Sequence, residues 1–495
     1  MTAAEPTPHA ALRIRTLASL AVVANLAVTL PLAWILNVWQ DEAYTLHSTA
    51  HGIGYAVAEA LHFEQNAPLY FAFLAAWRYL DGSVFFLRLP SVLFIAATVW
   101  LTPQLARRYL PKVDPSFVAF AVALNPFAVW AGAEMRVYAL TVLISALLLL
   151  AFYDGFLAPR TSKAAIVAYA ACVAIALYTQ YYLAFLIAAQ GVTLLVYRRR
   201  SVLWYGGACA VAAVAFVPML AILPSQVKGF KSPFVAPSLP SSFLTLAKIL
   251  VHYALPLQFP HANAIYALFA LSVAALAIAL RKRLTAGGDG TIVLIAAFAY
   301  AFFALGTYAG GVHVLYRHGA SLFVPCALSV FAATTFVQPP LRRSASAAWL
   351  CVSIAASLTS LLFTYAPLAK PGDWVRVTNY IEAHETVGEP IVVFEAENAL
   401  PLSFYYRGPN RIVPIPQGVD FRAYDVSKFV IRDDAQLEST IPQGTPIWLV
   451  TAGECRSDNV RFGCNTLEGF VRSRYTVVSD VPFYGSRVRL LRPRR

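Results

Sequence analysis

Asp41 and Glu42 stand side by side just after the first long apolar run, in the stretch Asn37-Val38-Trp39-Gln40-Asp41-Glu42-Ala43-Tyr44-Thr45. Acids are scarce in this chain, 25 against 38 bases, so two adjacent carboxylates at that place ask for a reason. Glu64 and Gln65 follow in the same link, and other polar residues recur in later links between apolar runs: Glu134 and Arg136, Gln180, and His313, Arg317 and His318. Ionisable groups at membrane depth are costly and are functional candidates by default. A carboxylate can take a proton and a guanidinium can hold an anion, so both kinds gathered at one membrane face form a candidate site. Plainer readings stand beside this one. Asp41 and Glu42 also read as solvated acids that end a helix, and Glu134 with Arg136 as a local surface pair of little worth. His313 and His318 also read as interfacial or core histidines, and Tyr138, Tyr181, Tyr182 and Tyr316 as members of an aromatic belt.

The elements that must position these residues are membrane helices. Of 495 residues 59% are hydrophobic and only 13% are charged, against about 25% charged in a soluble chain. The apolar residues cluster in runs of spanning length, for which about 20 residues suffice. The runs are 16–37, 86–106, 116–133, 138–157, 164–179, 182–197, 202–223, 263–281, 290–309, 320–338 and 345–366. They predict an all-α polytopic membrane protein with about 11 transmembrane helices. The first run is too long for a signal-peptide core and reads as an uncleaved span. The formal charge of +13 suggests nucleic acid only at first sight. The bases sit in short clusters between runs, such as Arg107/Arg108/Lys112 and Arg198/Arg199/Arg200. With the N-terminus in the cytoplasm every such cluster falls inside, so no nucleic-acid partner is expected.

That topology puts Asp41, Glu42, Glu64, Gln65, Glu134, Arg136, Gln180, Arg317 and His318 at external ends. The short run 67–80 is read as interfacial, so 38–85 is one external loop with helices lying on the membrane. Residues 224–261, rich in proline, make a second external loop. The expected division is a membrane module over 1–369 and a small external α/β domain over 370–495. In that domain helices are predicted at 373–384 and 399–407, and strands at 391–394, 411–415, 446–451 and 486–491. Cys455 and Cys464 lie close in sequence there; in an oxidising compartment they are disulfide candidates, and two free thiols are the alternative.

The ordered motifs resemble bacterial GT-C glycosyltransferases, the integral membrane enzymes that include protein O-mannosyltransferase-like and RgtA/B/C/D-like members. The resemblance rests on Asp41-Glu42-Ala43-Tyr44, Asn66-Ala67-Pro68-Leu69-Tyr70, Leu87-Arg88-Leu89-Pro90-Ser91, Asn125-Pro126-Phe127 with Glu134-Met135-Arg136-Val137-Tyr138, Leu177-Tyr178-Thr179-Gln180-Tyr181-Tyr182, Tyr316-Arg317-His318, and the tail opening Gly372-Asp373-Trp374. It runs through essentially the whole chain. Asn66-Ala67 stands where the family has His-Pro, and Gln180 where it has His.

The resemblance implies transfer of a sugar from a polyprenyl-phosphate donor to an extracytoplasmic glycan, lipid or protein acceptor at the inner membrane, in cell-envelope glycan or lipopolysaccharide synthesis. It implies Asp41 as the base for the acceptor hydroxyl. Glu42 would orient that base, touch the sugar or help hold a divalent cation. Arg136 and Arg317 would clamp the donor phosphate with His318 assisting, since arginine suits bidentate phosphate contacts. Glu64, Gln65, Glu134, Tyr138, Gln180, Tyr181 and Tyr316 would meet the substrates. Mg²⁺ or Mn²⁺ would suit Asp41 and Glu42 with phosphate oxygens, and two acids alone do not decide it. A single, inverting displacement is the simplest reading. Two others compete: a ligase moving whole glycans from a diphosphate-linked lipid, and a polytopic lipid or sugar transporter.

Overall fold

Every apolar run falls on a helix or helix pair in the computed structural model, which describes residues 8–229, 237–256, 262–279, 288–452 and 462–494. The chain forms two compact units. The described part of the first is 8–34, 66–229, 237–256, 262–279 and 288–364; that of the second is 35–65, 365–452 and 462–494.

Among the described residues six helices are long and apolar enough to cross a membrane: Leu12–Ile35, Val84–Tyr109, Tyr138–Leu157, Arg199–Leu220, Gly290–Gly310 and Pro339–Tyr365. A further pair, Pro115–Ala123 and Pro126–Gly132, is bent by 56°. The bend is written in Asn125-Pro126. Proline has no N–H to continue the first helix, and the Asn125 side chain accepts from Phe127 N at 2.9 Å to start the second. Lys163–Thr179 and Leu183–Tyr197 are shorter apolar helices. The run at 320–338 is a 3₁₀ turn, Tyr316–Leu322, leading into the 12-residue helix Phe323–Thr334. The short run at 67–80 forms the 10-residue helix Leu69–Arg78, whose Trp77 stacks on Phe86 and donates to the Phe86 carbonyl at 3.0 Å.

Several polar groups inside the first unit find backbone partners, as burial in an apolar surround favours. Asn25 donates to the Ala123 carbonyl at 2.7 Å and Tyr109 to that of Leu149 at 2.8 Å. Gly306 leaves room for the Phe185 ring, which would collide with a Cβ there.

One expectation needs correction here. Residues 224–261 are not simply a loop: Leu239–Ala254 is a 16-residue helix. Ser238 caps it, accepting from Ser241 N at 3.3 Å, and Pro240 lies in its first turn. Ser242, Leu246, Ile249 and Tyr253 are its buried stripe.

The second unit is built on a five-stranded sheet ordered β2-β1-β3-β5-β4. Its strands are β1 (Ile391–Phe394), β2 (Ile412–Pro414), β3 (Ile447–Ala452), β4 (Tyr475–Phe483) and β5 (Ser486–Pro493). β1 runs parallel to β2 and β3; β5 pairs antiparallel with β3 and β4. All four residues of β1 are buried, as in a strand covered on both faces. Trp374, Val377 and Ile381 of the Trp374–His384 helix pack with Ile391, Val393, Trp448 and Val450 on one face. Leu467 and Phe470 of the Cys464–Arg474 helix pack with Val392, Phe394 and Leu449 on the other. Residues 35–65, which from sequence are the end of the first apolar run and the start of the external loop 38–85, belong to this unit. Cys464 is buried, and Cys455 lies outside the described residues.

Candidate active site

In the second unit Asp41 and Glu42 occupy the first turn of the helix Gln40–Ser48, where the helix dipole favours carboxylates. Both are buried, Asp41 at 7% and Glu42 at 0% exposure. Glu42 Oε2 lies 2.8 Å from Lys370 Nζ, itself 4% exposed, so the two form a buried ion pair. The Lys370 backbone N–H donates to Asn37 Oδ1 at 2.7 Å. Two residues after Glu42, Tyr44 donates its hydroxyl to Glu397 Oε1, and Tyr424 donates to the same oxygen at 3.0 Å. Burial holds the Glu397 carboxyl above its ordinary range; Tyr44 and Tyr424 pull it back and the nearby Asp41 adds to the rise. Burial, with Glu397 beside it, pushes the Tyr44 hydroxyl far up, so it remains a donor at neutral pH. Glu64 accepts from Ser48 Oγ at 3.1 Å. Gln65 is buried with φ at 52°, a left-handed backbone.

In the first unit residues 134–137 form an irregular link between the helices Pro126–Gly132 and Tyr138–Phe152, and all four are buried. Non-helical backbone at membrane depth is tolerated only inside protein or along a cavity. Glu134 is fully buried; the Arg136 guanidinium stands 5.7 Å over the Phe71 ring. Tyr138 stacks on Trp130 with centroids 5.2 Å apart. Tyr316 meets the rings of Phe127 at 5.1 Å, Trp130 at 6.1 Å and His252 at 5.2 Å. His318 lies 5.6 Å from the Tyr182 ring, and Tyr182 is within electrostatic range of both Tyr138 and Arg317. The His318 Nδ1 accepts from Leu315 N at 3.1 Å, which leaves Nε2 to carry the proton of the neutral ring. Gln180 is buried, with a side-chain oxygen that meets no donor among the described residues. Tyr181 donates to Gln226 at 2.7 Å. His313 is exposed.

The structure thus gathers Tyr138, Tyr316, Arg317 and His318 in one aromatic neighbourhood of the first unit. Asp41, Glu42, Glu64 and Gln65 belong to the second. Among the described residues neither set brings together three His, Cys, Asp or Glu side chains that could hold a metal ion. Glu42 is engaged by Lys370.

Sequence reasoning missed four residues. Lys370 and Glu397 were read only as part of the tail, because nothing local ties them to positions more than 300 residues earlier. His252 sits on the helix mistaken for loop; it bonds Tyr266 at 2.8 Å, and burial pushes its imidazole down to about 4. Arg88, which enters the sequence reading only as part of the motif Leu87-Arg88-Leu89-Pro90-Ser91, is fully buried and donates to the Ala33 carbonyl at 2.9 Å. The signal for Arg88 was its place inside an apolar run, where a charge needs partners.

An apolar helical module with broken and irregular links, together with a small α/β sheet domain, is the fold that the GT-C resemblance leads one to expect. The structure is similar to that of ArnT from Cupriavidus metallidurans bound to undecaprenyl phosphate, with a TM-score of 0.58 at 13% identity over 96% of this chain and 97% of that one. For ArnT in the apo state the TM-score is 0.60 at 15% identity, over 95% and 97% of the two chains. At such identity the likeness establishes the fold. No protein-family model and no curated protein sequence matches the chain.

Proposed function

We propose that this chain is a membrane glycosyltransferase that moves a sugar from a polyprenyl-phosphate donor to an extracytoplasmic acceptor. The observation that carries the reading is the end-to-end likeness to ArnT, which is bound to undecaprenyl phosphate in its crystal structure. The lipid tail of such a donor needs a bilayer, and its phosphate needs fixed cations. Arg136 and Arg317 supply them, with the Nε2–H of His318 as a further donor. Tyr138, Tyr181, Tyr316 and Gln180 bind the sugar; Glu64, Gln65 and Glu134 bind the acceptor or brace the cations. Asp41 takes the proton of the acceptor hydroxyl as its oxygen attacks C1 of the sugar. The bond from C1 to the phosphate oxygen breaks, polyprenyl phosphate leaves, and the anomeric centre inverts. In this reading the N-terminus is cytoplasmic and the tail lies outside the inner membrane, as the positive-inside rule supports.

The test is release of polyprenyl phosphate by the purified protein from synthetic polyprenyl-phosphate sugars in the presence of candidate acceptors. Turnover of the monophosphate-linked donors is expected. Turnover of diphosphate-linked glycans alone would make the protein a ligase, and movement of labelled lipid with no covalent product would make it a transporter.

A further inference from the structure

The Gln40–Ser48 helix has little to support it on its own. It is 9 residues long, and isolated helices under about 12 residues are marginal in water. Its N-cap residue, Trp39, makes no side-chain capping bond to the first turn. Yet Asp41, Glu42, Ala43, Tyr44 and Thr45 are all buried in it.

What holds this segment comes from the tail, at points on both sides of Asp41. The Lys370 N–H reaches Asn37 at 2.7 Å, and the Tyr405 hydroxyl accepts from Val38 N at 2.7 Å. Lys370 Nζ pairs with Glu42 at 2.8 Å. Glu397 takes the Tyr44 hydroxyl and is itself fixed by Tyr424. The Phe421 ring lies flat on His47, centroids 3.5 Å apart and planes at 20°. Positions 37, 38, 42, 44 and 47 are thus each fixed by a tail group, and Asp41 stands between them. The Glu42–Lys370 pair and the Glu397 acceptor are shielded from water, where losing one partner strands a buried charge or donor.

We infer that the tail is the jig that sets the position of Asp41, with Lys370 and Glu397 as positioning residues for sugar transfer. The inference rests on the reading of Asp41 as the base. A tail that served acceptor choice alone would not need two buried charged residues spent on this helix. Displacing a catalytic group by about 1 Å costs on the order of a hundredfold in rate.

The test uses the full chain with Lys370→Met and Glu397→Gln. In each variant kcat for polyprenyl phosphate release should fall about 10–100-fold while KM for the donor stays within about twofold. Adding Glu42→Gln to Lys370→Met should recover part of the loss, because no charge is then left buried alone. Hydrogen exchange, which needs no turnover, should be faster at the amides of 40–48 and unchanged in β1 and β3. If Lys370→Met does not fold, Tyr44→Phe removes one hydroxyl and should give a smaller loss of the same kind. Wild-type exchange over 40–48 in both variants would overturn the inference, as would an unchanged kcat or a loss seated in KM. If the wild type releases no polyprenyl phosphate from any donor, the transferase reading falls and the role in transfer falls with it. The exchange result then still decides whether the tail holds the helix.

Discussion

Arg317 and Asp41 are given different work, and single substitutions should separate them. Arg317→Ala should weaken binding of a polyprenyl-phosphate sugar about tenfold or more, the ~1.5–3 kcal/mol of a hydrogen bond to a charged group. Titration of a fluorescent donor analogue measures it, and unchanged affinity would remove Arg317 from the phosphate. The side-chain oxygen of Gln180 is buried and meets no donor among the described residues, so Gln180→Leu should raise the donor KM more than it lowers kcat, as steady-state kinetics would report. Asp41, Arg136, Gln180 and Arg317 were all legible as candidates, because polar groups beside apolar runs stand out by type. The partners of Glu42 and Tyr44 were not. Lys370 and Glu397 carry no periodicity, and only the folded chain brings them to a helix that starts at Gln40.

At the scale of elements, Asn125 does two things at once. It caps the Pro126–Gly132 helix at 2.9 Å and donates through Nδ2 to the Tyr253 carbonyl at 2.7 Å. Asn125→Ala should therefore cost about 1 kcal/mol for the cap and a similar amount for the second bond, seen as a lower thermal midpoint in detergent. Asn125→Asp should cost at least as much, since a carboxylate keeps the cap but loses the donor and is set, buried, against the Tyr253 carbonyl. The break itself could be read from Asn-Pro. The helix Leu239–Ala254 could have been read too, from Ser242, Leu246, Ile249 and Tyr253 at helical spacing; the prolines around it drew the eye to a loop. In the tail, β1 announced itself as an unbroken apolar run. β4 did not, because most of its residues are exposed and its sequence, Tyr475 to Phe483, mixes polar and apolar types without strict alternation.

For the whole molecule, membrane character and the two-part plan follow from where the apolar runs end. The assignment of residues 35–65 to the tail's unit does not, because contacts across more than 300 residues leave no local trace. Two adjacent acids after a membrane helix make sense if one receives a proton and the other is held to keep the first in place. The most direct test compares wild type and Asp41→Asn for donor binding and for polyprenyl phosphate release with the same donor. Wild-type donor affinity in the variant with release reduced to background is the predicted result. Near-normal release by Asp41→Asn would contradict the assignment of the base.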